Sequence, residues 1–352
     1  MSPTTPDSRI RFALRVVLLA TAVPAFAFGA FAQESTLNGR WLIDFDRGDS
    51  VQLTLKRRSG THDNWSSSND YRLSDFQGLQ RPAGSGDLAV QFQMARDAGT
   101  IRFEGQLNDA GGSGRFTFAP NADYLAALAK MGYPKPDADD VFSLAVHDVS
   151  RSFIQELGAL GYEHVPLDDM VSMRIHGAGP EFIRELKTLG YDHLSTDDLV
   201  SMRIHGATPD FIRALKALGY DRLSADDLVS MRIHGAGPEM VRDLKALGYD
   251  HLSADDLVSM RIHGATPEFV RELKDLGYAR VSADDLVSMR IHGVTPEFIR
   301  EIQTVGYKDV PVDDLVSMRI HGVSVEYVKK MKARMKDVSV DDLVNMKIHG
   351  QS

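Results

Sequence analysis

The sequence predicts an α+β protein of two parts, a small antiparallel β-domain followed by an all-α solenoid of two-helix repeats. Three observations predict it. From Gly39 to about Ala119 apolar and polar residues alternate, the period of a half-buried strand. From Ala122 onward the period becomes 29 residues. The decapeptide DDLVSMRIHG occurs five times, beginning at Asp197, Asp226, Asp255, Asp284 and Asp313. An active site needs its residues once, whereas a stacked architecture needs one module many times. The expected boundaries are 1–32 for a leader, 33–119 for the β-domain and 120–352 for eight repeats.

Residues 1–32 read as an export signal. Arg9, Arg11 and Arg15 form a positive region, the apolar run VVLLATAVPAFAFGAFA follows, and Ala30-Phe31-Ala32 is a small-x-small cleavage pattern. The alternative is a retained anchor, but the run is at the bottom of the spanning range and Pro24 interrupts it. The chain has no cysteine, so disulfide frameworks and thiolate metal sites are excluded. The formal charge is −9, and the leader carries three Arg and one Asp, so the remainder is more acidic still. Nucleic acid is a poor partner for such a surface. The expectation is a periplasmic or secreted monomer with no membrane span after cleavage.

In the β-region, Trp41, Ile43 and Phe45 alternate with polar or solvent-facing positions. So do Val51, Leu53 and Leu55; Leu88, Val90, Phe92 and Met94; Ile101, Phe103 and Leu107; and Phe116 and Phe118. Turn-forming stretches such as RPAGSGD and NDAGGSG separate them. About six strands are expected, as a meander forming a half-barrel or small sandwich. Gly39-Arg40-Trp41 resembles the G-x-W that opens the first strand of lipocalins, which would imply ligand binding by this domain.

Each repeat predicts two short helices. From Gly206 to His234, Thr208 is an N-cap and Pro209 stands at the first helical position, where its missing N–H costs nothing. Phe211, Ile212, Leu215 and Leu218 make one stripe, and Gly219 permits a left-handed C-terminal turn. Ser224 caps the second helix, Asp226 and Asp227 suit its N-terminal dipole, Leu223 and Leu228 form a staple, and His234 ends it. Helices this short are marginal alone, so neighbouring units must supply the burial. The histidines His147, His176, His205, His234, His263, His292, His321 and His349 mark eight units, 29 residues apart except for 28 at the end. The first unit is degenerate and the last is lysine-rich (Lys329, Lys330, Lys332, Arg334, Lys336), as end units facing water should be. That basic end could also meet an acidic partner or anionic lipid.

Several motifs invite a chemical reading. Asp198, Ser201 and His205 share a helix face, but Asp198 and His205 lie about 10 Å apart along the axis, and no oxyanion donor accompanies them. Equivalent histidines on neighbouring helices should stand about 8–10 Å apart, too far for one zinc ion at about 2 Å from each ligand. The Asp-Asp pairs lack a calcium loop. The expectation is no catalysis, no metal and no cofactor.

The arginines Arg174, Arg203, Arg232, Arg261, Arg290 and Arg319, with Lys347 last, are more informative. With Leu199 at zero on a helical wheel, Arg203 falls at about 40° and Ile204 at about 140°, both assigned to an apolar arc at 100° per residue. A charge there needs a partner. The expected partner is an Asp of a neighbouring Asp-Asp pair or a helix-end carbonyl. Two roles stay open for these arginines and for His176, His205, His234, His263, His292 and His321: a register-setting ladder, or a row that binds a partner. The first unit has Ala145 at this position, so its junction should lack the contact.

The runs LAVHDVSRSFIQELGALGY (144–162) and DDLVSMRIHGVTPEFIRE (284–301), with the preceding β-region, resemble the extracytoplasmic repeat region attached to some BlaR/MecR-type metallopeptidase sensor proteins. That resemblance covers most of residues 36–350 and implies a cell-envelope location with a sensing or partner-binding role. The protease's HExxH motif is absent, so no catalytic residue carries over. The functional expectation is a non-catalytic scaffold binding protein or peptide. The alternative is a sensor whose β-domain holds a small molecule, glycan or lipid.

Overall fold

The computed structural model describes residues 37–45, 48–59, 63–335 and 337–350; the expected leader, residues 1–32, lies outside them. Six strands, β1 (Leu37–Phe45), β2 (Ser50–Ser59), β3 (Asp63–Arg72), β4 (Leu88–Arg96), β5 (Gly99–Leu107) and β6 (Gly111–Pro120), form one antiparallel sheet in the order β3-β2-β1-β6-β5-β4. Two three-stranded meanders are joined where β1 pairs with β6, with Trp41 opposite Gly114. Among the described residues the sheet is single, not a sandwich, and the chain crosses from one edge to the other between β3 and β4.

One face of the sheet is apolar because every second residue points to it. Trp41, Val51, Met94, Ile101 and Leu107 are fully buried. The Phe92 and Phe103 rings stack at 4.6 Å, and Trp41 meets Phe92 edge-on at 5.4 Å. The indole lies against bare backbone. A Cβ on Gly114 would stand 2.7 Å from its Nε1, and one on Gly105 2.8 Å from its ring. Its N–H donates to the carbonyls of Glu104 and Arg115.

Sixteen helices follow among the described residues: α1 (Ala122–Lys130), α2 (Ala138–Val146), α3 (Arg151–Ala159), α4 (Leu167–His176), α5 (Pro180–Thr188), α6 (Thr196–His205), α7 (Pro209–Lys216), α8 (Ala225–His234), α9 (Pro238–Ala246), α10 (Ala254–His263), α11 (Pro267–Asp275), α12 (Ala283–Ile291), α13 (Pro296–Thr304), α14 (Val312–Ile320), α15 (Val325–Arg334) and α16 (Val340–Ile348). They pair as eight units, stacked so that first helices pack on first helices and second on second. Neighbouring second helices pack against each other more extensively than neighbouring first helices do.

The local chemistry follows the sequence. Thr208 accepts from Phe211 N–H at 3.3 Å, and Ser224 from Asp227 N–H at 3.0 Å, with Asp227 returning the bond to Ser224 N–H. This capping box satisfies two otherwise orphaned donors. Gly219 and Gly235 take φ of +91° and +73°, the left-handed conformation a side chain disfavours. Tyr220 N–H bonds the Leu215 carbonyl at 3.1 Å, closing the first helix. Between the helices, Phe211, Ile212, Leu215, Leu228 and Met231 are buried.

Four ladders then join unit to unit. Tyrosine hydroxyls reach forward to the residue before the next unit's Ser cap: Tyr191 to Leu223 O, Tyr220 to Leu252 O and Tyr249 to Val281 O, at 2.9, 2.8 and 2.7 Å. Lys245 and Lys274 reach back to Leu218 O and Leu247 O, at 2.7 and 3.0 Å. Arg213 and Arg300 pair with Glu185 and Glu272 of the preceding units. The fourth ladder is the arginine row described below.

Candidate functional site: the outer face of the second-helix row

Each second helix divides its residues among three directions. Leu199 and Met202 face the core and are fully buried. Thr196 and Arg203 face the preceding unit, where Thr196 Oγ1 donates to Asp169 at 3.0 Å. Asp197 and Ile204 face outward, with Val200 and Ser201 half-buried beside them.

The isoleucine is therefore not part of the interior, contrary to the wheel assignment. Ile175, Ile204, Ile233, Ile262, Ile291, Ile320 and Ile348 are all 52–55 % exposed. The wheel placed Ile204 in the apolar arc because Val200 precedes it by one turn. In the stack that arc is the exposed edge, since the core takes only Leu199 and Met202. Beside this row runs a second, formed by the first Asp of each pair: Asp168, Asp197, Asp226, Asp255, Asp284, Asp313 and Asp341. All are exposed, and among the described residues none of these carboxylates makes a hydrogen bond or ion pair. The second Asp is occupied. Asp198 accepts from the N–H and hydroxyl of Ser195 at 3.0 and 2.7 Å, so its carboxylate belongs to the N-terminal cap of its own helix.

The arginines do not reach the Asp-Asp pairs. The second Asp is held in its own cap where a serine precedes the helix, as at Asp198, Asp227 and Asp256. Asp169 accepts instead from Thr196 of the next unit, and the first Asp faces away, so helix-end carbonyls and rings take their place. Arg174 Nε donates to His147 O at 3.0 Å, and Arg203 Nε to His176 O at 3.3 Å. The guanidinium groups of Arg174, Arg203, Arg232, Arg290 and Arg319 lie 4.9–5.3 Å from the centres of Phe153, Phe182, Phe211, Phe269 and Phe298 in their own units. In the unit of Arg261 the phenylalanine's position is held by Met240. Arg203, Arg232, Arg261, Arg290 and Arg319 also cover the glycine that ends the preceding second helix: a Cβ on Gly206 would stand 3.0 Å from Arg232 Nη2. Arg174, which meets Asp148 where the later units have that glycine, is among the described residues the one arginine of the row that adds a carboxylate, at 2.8 Å. His176, His205, His234, His263, His292 and His321 close the second helices and are exposed.

The first unit differs because the sheet covers it. Ala145 and Val146, which replace the arginine and the isoleucine, are both buried. Tyr71 of β3 donates its hydroxyl to Val146 O at 3.1 Å, and burial pushes its phenol pKa up to about 12. Phe142, in the place of Val171, stacks on Phe116 of β6 at 5.4 Å with the rings parallel. Asp139, the first unit's counterpart of Asp168, pairs with Arg57 of β2. Burial and the nearby Arg174 lower the pKa of His147 below the usual imidazole value. At the next junction Arg151 grips Asp97 with its backbone N–H and its side chain, holding that carboxyl below the ordinary carboxylate range.

Sequence reasoning missed the exposed isoleucines and the role of Arg57. A signal existed for the first, since Ile204 and Asp197 lie within about 20° of each other at 100° per residue. No protein-family model and no curated protein matches the chain.

Proposed function

We propose that the protein is an exported, non-catalytic scaffold of the cell envelope that binds a protein or peptide along its second-helix row. One observation carries this reading. An isoleucine more than half exposed recurs at the same position of seven units, left uncovered by the described residues. Uncovered contiguous apolar surface on a folded protein marks an interaction site. A long row of equivalent positions suits an elongated partner. The envelope location rests on the leader pattern and on the resemblance to sensor-associated repeats.

Photo-crosslinking tests the reading. A benzophenone side chain replaces Ile233 in one version of the full chain and Gln52, on the sheet's outer face, in another. Discrete adducts from position 233 and none from position 52 are expected on irradiating cells. The reverse pattern favours ligand or partner binding by the β-domain, and no adduct at either position contradicts the scaffold. N-terminal sequencing of the exported protein should begin at Gln33.

A further inference from the structure

The first unit shows what covers the exposed row. At its strip positions, the counterparts of Asp168, Val171 and Ile175 are Asp139, Phe142 and Val146. All three are engaged by the β-domain. Arg57, only 7 % exposed, pairs with Asp139 and lies 5.9 Å from the Phe142 ring. Trp65 meets the same ring edge-on at 5.2 Å. Tyr71 reaches the backbone of Val146. A buried guanidinium without a counter-charge is costly, so the Asp–Arg pair and the aromatic cover act together.

Resting on the scaffold reading, we infer that the isoleucine–aspartate strip of the later units is a track for an extended polypeptide bearing basic and aromatic side chains, the chemistry with which the β-domain covers the same positions of the first unit. Two arguments fix the occupant. The first is charge: every later unit presents a carboxylate without a partner beside an uncovered isoleucine, where the first unit has Arg57 and aromatic rings. The second is spacing. Neighbouring helices stand about 8–10 Å apart, and one turn of polyproline II, three residues at about 3.1 Å, spans about 9 Å. A basic and an aromatic residue in each three-residue turn would therefore meet each unit in register. The Ser201 hydroxyl and its equivalents lie within the strip to meet the bound backbone, which in polyproline II makes no hydrogen bonds of its own.

The probe is a fluorescein-labelled peptide of four Arg-Tyr-Pro turns, titrated with the full chain by fluorescence anisotropy. Glu-Tyr-Pro and Arg-Ser-Pro peptides of equal length are the controls. Two triple variants accompany the wild type: Ile233→Ser/Ile262→Ser/Ile291→Ser, and Asp226→Asn/Asp255→Asn/Asp284→Asn. Binding of the Arg-Tyr-Pro peptide is expected, at least about tenfold weaker for each control and each variant, a difference of about 1.4 kcal/mol. Added salt should weaken wild-type binding more than that of the Asn variant. Unchanged melting of the Ile variant confirms that the loss is not unfolding. Absence of binding to the wild type, equal binding of Arg-Ser-Pro, or undiminished binding to either variant overturns the inference. If adducts at position 233 persist while the peptide fails, the scaffold stands and only the basic–aromatic chemistry falls.

Discussion

The guanidinium of Arg232 lies 4.9 Å from the ring centre of Phe211, and its Nη2 covers Gly206, the last turn of the preceding unit. One side chain thus joins the two helices of its own unit and seals the end of its neighbour. The arginine row is in this respect a structural ladder, and the proposed recognition surface is the isoleucine edge beside it.

Cation–π contacts at exposed sites contribute about 0.5–1 kcal/mol. Double-mutant cycles by urea denaturation should give a coupling of that size between Arg232→Met and Phe211→Leu. The cycle between Arg261→Met and Met240→Leu should give a coupling near zero. Equal couplings would show that the rings contribute nothing beyond packing.

Gly206 has φ +73° and guanidinium nitrogen above its open side. Gly206→Ala should destabilise the chain by about 1–2 kcal/mol, the cost of a left-handed non-glycine residue, increased by displacement of Arg232. Gly84→Ala, where nothing lies within 4 Å, should leave the melting temperature unchanged. Similar shifts for the two would refute the arginine's sealing role.

Ala145→Arg makes the first unit match its successors in sequence, yet it should harm the protein. Ala145 is fully buried at the junction that the sheet covers, and overpacking alone costs about 1–3 kcal/mol, with an unpaired charge added. A neutral or stabilising result would show that the sheet does not hold this junction as described.

The tyrosine ladder sets a limit at high pH. Burial raises the phenol pKa values of Tyr191, Tyr220, Tyr249, Tyr278 and Tyr307 above the ordinary value. An acid whose folded pKa is raised holds its proton more tightly when folded. Its contribution is therefore complete below the unfolded pKa of about 10 and lost as pH rises through the folded value. Melting temperature should fall on titration above about pH 10. Tyr220→Phe/Tyr249→Phe should start lower, by the net worth of two hydrogen bonds at about 1 kcal/mol each, and fall less steeply. An identical slope would remove the ladder from the account.

The repeat was legible in the sequence to the level of its caps, because Ser224, Thr208, Pro209 and Gly235 have strong local preferences that stacking leaves undisturbed. The β3 strand was not legible. DNWSSSNDYR offers only Trp65 and Tyr71 as apolar residues, and its pairing with β2 is a tertiary fact. The outward isoleucines were read as interior, because a wheel gives angles within a helix but not the directions from which neighbours approach. Arg57 reads as one more strand arginine until the fold brings Asp139 to it.

Excision of one period tests most directly the claim that these units stand only by leaning on one another. Deleting Gly206–His234 joins His205 to Gly235 and keeps every contact type in register. Deleting Gly206–Gly219 alone leaves a second helix without its partner. Circular dichroism during urea unfolding should show the first chain folded, with a lower midpoint, and the second collapsed over its later units. A half-unit deletion as stable as the whole-unit deletion, or a whole-unit deletion that abolishes helical structure, would contradict the account.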